Sequence, residues 1–227
     1  MAHLGGTMEP SIFDHSTGQL AMLEATRRSL HAVAELLLAG PQFDQSQSIE
    51  LRITAGGFGT TAAPDVRVDG AEVVAGDLRF ALTGRSVAEL GTAIGVEPRS
   101  LRDVYADGPE LGPHEPLIVD TASAEAIAQA FAFGDGALAE LDDSQHRVLW
   151  PEHFDVAMTA DEVNYGVSPG DDSCPEPYAY VGPWDLARRT DAGDPFWNAS
   201  FGASRTIREL VDQAGVLEFF RAGRDKT

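Results

Sequence analysis

Lysine is almost missing from this chain: Lys226 is the sole example in 227 residues, and arginine supplies every other side-chain cation apart from histidine. With 16 basic against 36 acidic residues the formal net charge is −20. Such a surface repels the phosphate backbone that nucleic-acid binders must neutralise. Nucleic acid and anionic membranes therefore drop out of the expected partners. Cysteine is nearly absent too. Cys174 stands alone, so no internal disulfide forms, which agrees with a reducing compartment, and the residue reads as a passive thiol. No run of about 18 apolar residues occurs. The start "MAHLGGTMEP" has neither a basic n-region nor an apolar h-region. The expectation is a cytoplasmic chain. Scarce lysine beside abundant alanine and glycine points to a GC-rich bacterial genome.

What is present is enough for a core: 43% of residues are hydrophobic and 8% aromatic, and a chain of this size buries roughly 70% of its unfolded surface. One globular unit over residues 1–227 is expected. Residues 17 to 39 place Leu23, Leu30, Val33, Ala34 and Leu37 on a helical stripe that "GP" at 40 and 41 is read to stop. "SIELRIT" alternates as a half-buried strand. "VRVDGAEVV", with Asp69-Gly70 as its turn, and "LRFALT", with Leu78, Phe80 and Leu82 on one face, extend it into an antiparallel meander. Ser86 and Glu89 form a capping box for a short helix that Gly95 ends, and a further helical turn is expected at 99 to 106.

After the Pro/Gly-rich connection 107–116 the order repeats. A helix is expected at 123 to 141, strands at 147 to 159 and 178 to 182 around a turn-rich stretch at 160 to 177, and a last helix at 204 to 222. The expected fold is α+β: a predominantly antiparallel sheet built from two similar helix-strands-helix halves, 17–106 and 117–222, with helices packed on it and a groove where the halves meet.

Candidate chemistry centres on "LWPEHFDVAMT" at 149 to 159. Read as one strand, it sets Trp150, Glu152, Phe154, Val156 and Met158 on a core face and His153 and Asp155 on the other. Glu152 among apolar neighbours is a candidate general acid or base, as against the plainer reading in which a bulge at Pro151 turns it outward. His153 and Asp155, two apart, suit a shared divalent ion or an imidazole oriented by a carboxylate, as against a solvated surface pair.

A second stretch, "TADEVNYGVSPGDDSCPEPYAYVGPWD", sets Asp171 and other acids beside Asn164, Tyr178, Tyr180 and Trp184. Rings beside carboxylates suit a sugar-like, cationic or amphipathic ligand, although a surface loop with tyrosines packed on the sheet is the plainer reading. Gly56, Gly57 and Gly59 of "TAGGFGTT" lack a Walker lysine and are followed by a strand, so they read as a strand-exit turn. The sequon at Asn198 has no consequence in a chain read as cytoplasmic, and Trp197 and Phe201 read as core anchors.

The motifs "ITAGGFGTTAAP", "RSVAEL", "FDVAMT", "SPGD" and "PYAYVGPW", in that order, make residues 49 to 184 resemble a broad bacterial family of uncharacterised proteins, a domain of unknown function. What looks shared is Phe154, Asp155, Ala157, Gly170, Tyr178 and Tyr180, whereas Glu152 and His153 fall where that family is expected to carry small residues. The resemblance implies no activity or cofactor, and it favours Asp155 and the tyrosines as a shared site.

Three functions stay open. The first is a small-molecule binding protein with an acidic, aromatic pocket at Asp155, Asp171, Tyr178 and Tyr180. The second is a metal-dependent hydrolase in which His153 and Asp155 hold the ion and Glu152 acts as base. The third is an interaction or homo-oligomerisation module. No motif assigns a cofactor.

Overall fold

The structure, a computed structural model, describes Phe13, residues 17 to 191 and residues 193 to 227. Helix α1 (Thr17–Ala32) buries the expected stripe, with Leu23 and Leu30 inside. It does not stop at Gly40-Pro41. A π turn over Val33–Ala39 leads straight into α2 (Gly40–Ser46), the Gly40 N–H donating to the carbonyl of Glu35 five residues back. Pro41 follows directly on the π turn and removes one N–H donor from the continuous helix. Gly40 is required by contact: a Cβ there would lie 2.0 Å from the Arg99 carbonyl oxygen. The dipeptide is a packing feature, and sequence alone shows it as a stop.

Ten strands form one antiparallel sheet in the order β10-β9-β8-β7-β6-β1-β2-β3-β4-β5. The first half supplies β1 (Leu51–Thr54), β2 (Gly57–Thr60), β3 (Arg67–Asp69), β4 (Glu72–Ala75) and β5 (Leu78–Ala81). Helix α3 (Val87–Ile94) follows, with the Ser86–Glu89 capping box and the left-handed Gly95 in place. The glycine-rich stretch is a hairpin: Gly56 at φ 84° makes the turn, and Gly57 and Gly59 belong to β2 itself. On the outermost strand Leu78 is 46% exposed, so the face expected at 78, 80 and 82 is only partly covered. Residues 99 to 106 form turns and no helix.

The second half begins with α4 (Thr121–Leu141), capped by Asp120, and continues through β6 (Val148–Trp150), β7 (Asp155–Ala160), β8 (Val163–Ser168), β9 (Tyr178–Pro183) and β10 (Ala203–Thr206). It ends in α5 (Ile207–Leu210) and α6 (Gln213–Asp225). Three expectations are corrected here. Residues 147 to 159 are two strands joined by a loop at 151–154, with Trp150 paired to Asp155. The stretch 160 to 177 hides β8, because Asp161 and Glu162, at φ 50° and 62°, make a two-residue hairpin turn without the glycine or asparagine that normally announces one. Residues 204 to 206 belong to a strand before the last helices begin.

The halves meet edge to edge at β1 and β6, Leu51 opposite Leu149, and α4 bridges the seam, touching β1, β2, β7 and β8 as well as α1 and α6. The architecture is the expected α+β. Among the described residues no helix is long and apolar enough to cross a membrane.

Helix α4 lies close to the sheet because of its small residues. A Cβ at Gly134 would come within 2.8 Å of Val167 and 2.9 Å of Val156. Gly134→Ala is expected to destabilise the fold by about 1–3 kcal/mol through overpacking, measured as a lower urea midpoint at unchanged slope; an unaltered midpoint would mean that α4 has room to lift.

Candidate functional site

In the second half the sheet has two unlike faces. Cross-strand neighbours Val156, Val167 and Ala179 share one face, as do Met158, Tyr165 and Val181, and this face packs under α4 and α6. The other face aligns Ala157, Gly166 and Tyr180 in one row, with Ser168 and Tyr178 paired beside them. Above that face opens a groove of about 1010 Å³. Helix α1 contributes Arg27, Arg28 and His31 to its lining, and the connection between the halves contributes Asp107 and Glu110.

All six residues singled out in the sequence, Glu152, His153, Asp155, Asp171, Tyr178 and Tyr180, line this one groove. The alternation expected of a strand fails between 151 and 154, because those residues turn the chain. Phe154 takes a left-handed φ of 52° and is held there by its ring, which meets Phe58 and Phe131 edge-on at 5.3 Å and stacks on His31 at 5.5 Å. That arrangement leaves Glu152 half-buried and His153 exposed. Glu152 therefore leaves the core face by the outward turn at Pro151 that the sequence also offered, and Asp155 is the carboxylate that burial affects.

Asp155 is 6% exposed. Its Oδ2 accepts a hydrogen bond from the Tyr180 hydroxyl, while Oδ1 is buried without a partner. Burial pushes the carboxyl above its ordinary pKa, against the pull of the Tyr180 hydrogen bond and of His153. Burial, and the charge of Asp155 beside it, raise the Tyr180 phenol well above its usual value. Burial and the bond to Asp171 raise Tyr178 likewise. Both phenols stay protonated donors near neutral pH. Tyr180 reaches Asp155 because Gly166 lies beneath it: a Cβ at 166 would sit 2.5 Å from the hydroxyl oxygen.

Asp171 plays a different part. Its Oδ1 accepts from the N–H groups of Ser173 and Cys174, at 2.7 and 2.9 Å, and its Oδ2 from the Tyr178 hydroxyl. Those three donors fix the loop that follows β8, and they leave the carboxylate less free to meet a ligand than Asp155. Gly170, at φ 108°, folds this loop back so closely that a Cβ would be 3.0 Å from Nη1 of Arg27. That Nη1 is buried and has no hydrogen-bond partner. Arg28 pairs with Glu110 at 2.7 Å, a bond from α1 to the connection between the halves that is too exposed to add much stability.

No three of His, Cys, Asp and Glu among the described residues lie close enough to hold a metal ion, so His153 and Asp155 lack a third partner for a divalent centre. Burial raises the Cys174 thiol, which suits its passive reading. Trp197 is a core residue as expected, but Phe201 is 45% exposed and lines the groove, its ring edge-on to Tyr180. Sequence reasoning also missed the α1 residues. Their signal was the spacing of Arg27 and His31, one turn apart along the edge of the apolar stripe of α1.

Set against known proteins, the chain matches no family model, no curated protein and no solved structure.

Burial lowers the His31 imidazole from 6.5 to about 4, and the bonds to the carbonyls of Pro151 and Glu152 only partly oppose this. A depressed base binds fewer protons folded than unfolded, so its contribution to stability is present above pH 6.5 and is lost as pH falls towards 4. His31→Gln is expected to remove a loss of up to about 3 kcal/mol over that window, read by urea denaturation at pH 7 and pH 4.5; an identical pH slope in the variant would refute the assignment. Gly166→Ala is expected to displace Tyr180 and orphan both oxygens of Asp155, lowering stability by about 1–3 kcal/mol; a stability equal to wild type would place the Tyr180 ring elsewhere.

Proposed function

We propose that the protein binds a small organic molecule in the groove above β7, β8 and β9. One observation carries this reading: Asp155, 6% exposed, lines the groove, and one of its two carboxylate oxygens is buried without a partner. An unpaired buried acceptor costs about 1–3 kcal/mol, and such exceptions need an explanation. A ligand donor supplies one. Further support comes from the aromatic wall, where Tyr178 and Tyr180 lie beside Trp184 and Phe201, 65% and 45% exposed. Large exposed rings beside a concavity are typical of a recognition surface. A cytoplasmic setting fits this reading, as does a chain with no internal disulfide.

A second reading is hydrolytic. Glu152 shares the groove with Asp155, and a carboxylate there is a candidate to activate water on a ligand that Asp155 holds.

A thermal-shift screen against a metabolite library tests both. At least one compound is expected to raise the melting temperature, a free concentration of 100 Kd being worth about 2.7 kcal/mol. The shift should be lost or weakened at least tenfold in Asp155→Asn and in Tyr180→Phe. Hits whose shift ignores both substitutions, or a screen without hits, would overturn the binding reading. Product formation from a hit, lost in Glu152→Gln, would favour the hydrolase.

A further inference from the structure

Four buried side-chain polar atoms of the described residues have no hydrogen-bond partner, and two of them belong to residues lining the groove. They are opposite in kind. Nη1 of Arg27 is a cationic donor, and Oδ1 of Asp155 is a carboxyl acceptor. No ion pair joins the two residues, although Arg28 beside them is paired with Glu110. Each orphan thus requires a different complement: an acceptor, best an anionic one, for Arg27, and an N–H or O–H donor, best a cationic one, for Asp155.

Neither atom finds its complement within the protein. The Tyr180 hydroxyl is already spent on Oδ2 of Asp155, and Gly170, against which the Arg27 guanidinium rests, offers no side chain. Part of the remaining wall is aromatic. Phe201 sits edge-on to Tyr180 with ring centroids 6.2 Å apart, and Trp184 is turned by the bond from its Nε1 to Asn164 at 3.0 Å.

We infer that the ligand is a small zwitterion of the amino-acid class, its carboxylate on Arg27, its ammonium on Asp155 and an apolar or aromatic side chain against Tyr180, Trp184 and Phe201. This inference rests on the binding reading above and narrows it to one chemistry. A singly charged ligand satisfies one orphan and leaves the other. A zwitterion satisfies both, and the groove, at about 1010 Å³, also admits the same two charges set further apart, as in a dipeptide.

Isothermal titration of the purified full chain with four probes tests it: L-phenylalanine, the dipeptide Gly-Phe, phenethylamine, which lacks the carboxylate, and 3-phenylpropionate, which lacks the ammonium. At least one of the two zwitterions is expected to bind at least tenfold tighter than either singly charged compound. Asp155→Asn should weaken the zwitterion and the amine and leave the acid unchanged, while Arg27→Gln should weaken the zwitterion and the acid and leave the amine unchanged. Melting curves without ligand confirm that both variants are folded. If phenethylamine or 3-phenylpropionate binds as tightly as the zwitterions, the two-charge inference is wrong and the groove reading stands. If none of the four binds while the metabolite screen yields another Asp155-dependent ligand, the inference again falls alone. If neither experiment finds a ligand, both fall together.

Discussion

The close seat of α4 on the sheet is the constraint from which the rest of this molecule follows. Ala126, Ala130, Gly134 and Ala137 are buried, and where these small residues face the strands the helix axis approaches to a distance that a larger side chain would forbid. From that position α4 touches strands of both halves, so it holds the β1–β6 seam shut, a seam whose backbone pairing is as short as Leu51 opposite Leu149. It also commits one face of β7 and β8 to the core. Because strand side chains alternate, the face left over collects Ala157, Gly166, Ser168, Tyr178 and Tyr180. The groove is the reverse side of a helix–sheet contact.

Within that groove two tyrosine–aspartate pairs look alike in sequence and differ in their chemistry. Asp171 accepts three donors, two of them backbone N–H groups of its own loop, and serves as an anchor for the turn after β8. Asp155 accepts one from Tyr180 and keeps an oxygen unpaired in a buried setting, with its carboxyl pushed upward. The difference is a count of hydrogen bonds. A saturated carboxylate stabilises a loop, whereas an unsaturated one stores a cost that a bound donor relieves.

Two buried polar groups away from the groove are fully satisfied, whereas Thr54 Oγ1 and Trp197 Nε1 are not. Glu35, 0% exposed inside the π turn, accepts from the Ser100 hydroxyl, the Leu101 N–H and the Tyr105 hydroxyl. Gln42, also fully buried, donates to the carbonyls of Ser48 and Glu50 and accepts from the N–H groups of Thr61 and Ala62. Against these networks the orphaned atoms of Arg27 and Asp155 stand out.

Local rules carried far along this chain. The helical stripe of α1, the capping box at Ser86, the Asp69-Gly70 turn and the meander of β1 and β3 to β5 were all legible, because each depends on residues a few positions apart. The six site candidates were legible as residue types, and they do share one groove. What local rules could not reach was set by contacts between distant segments. Gly40 reads as a helix stop until the Arg99 carbonyl is seen against it, and β8 is hidden behind a turn whose left-handed Asp161 and Glu162 are held by the pairing of β7 with β8. Phe201 reads as core until β9 and β10 place it on the open face beside Tyr180. Composition and periodicity thus determined the class of fold, the longer helices and the first meander, and the residue types that line the groove. Which carboxylate is buried, which is saturated, and that Arg27 of the first helix faces the same groove were decided by tertiary packing, because burial and hydrogen-bond partners belong to the neighbours a residue acquires in space and not to its neighbours in the chain.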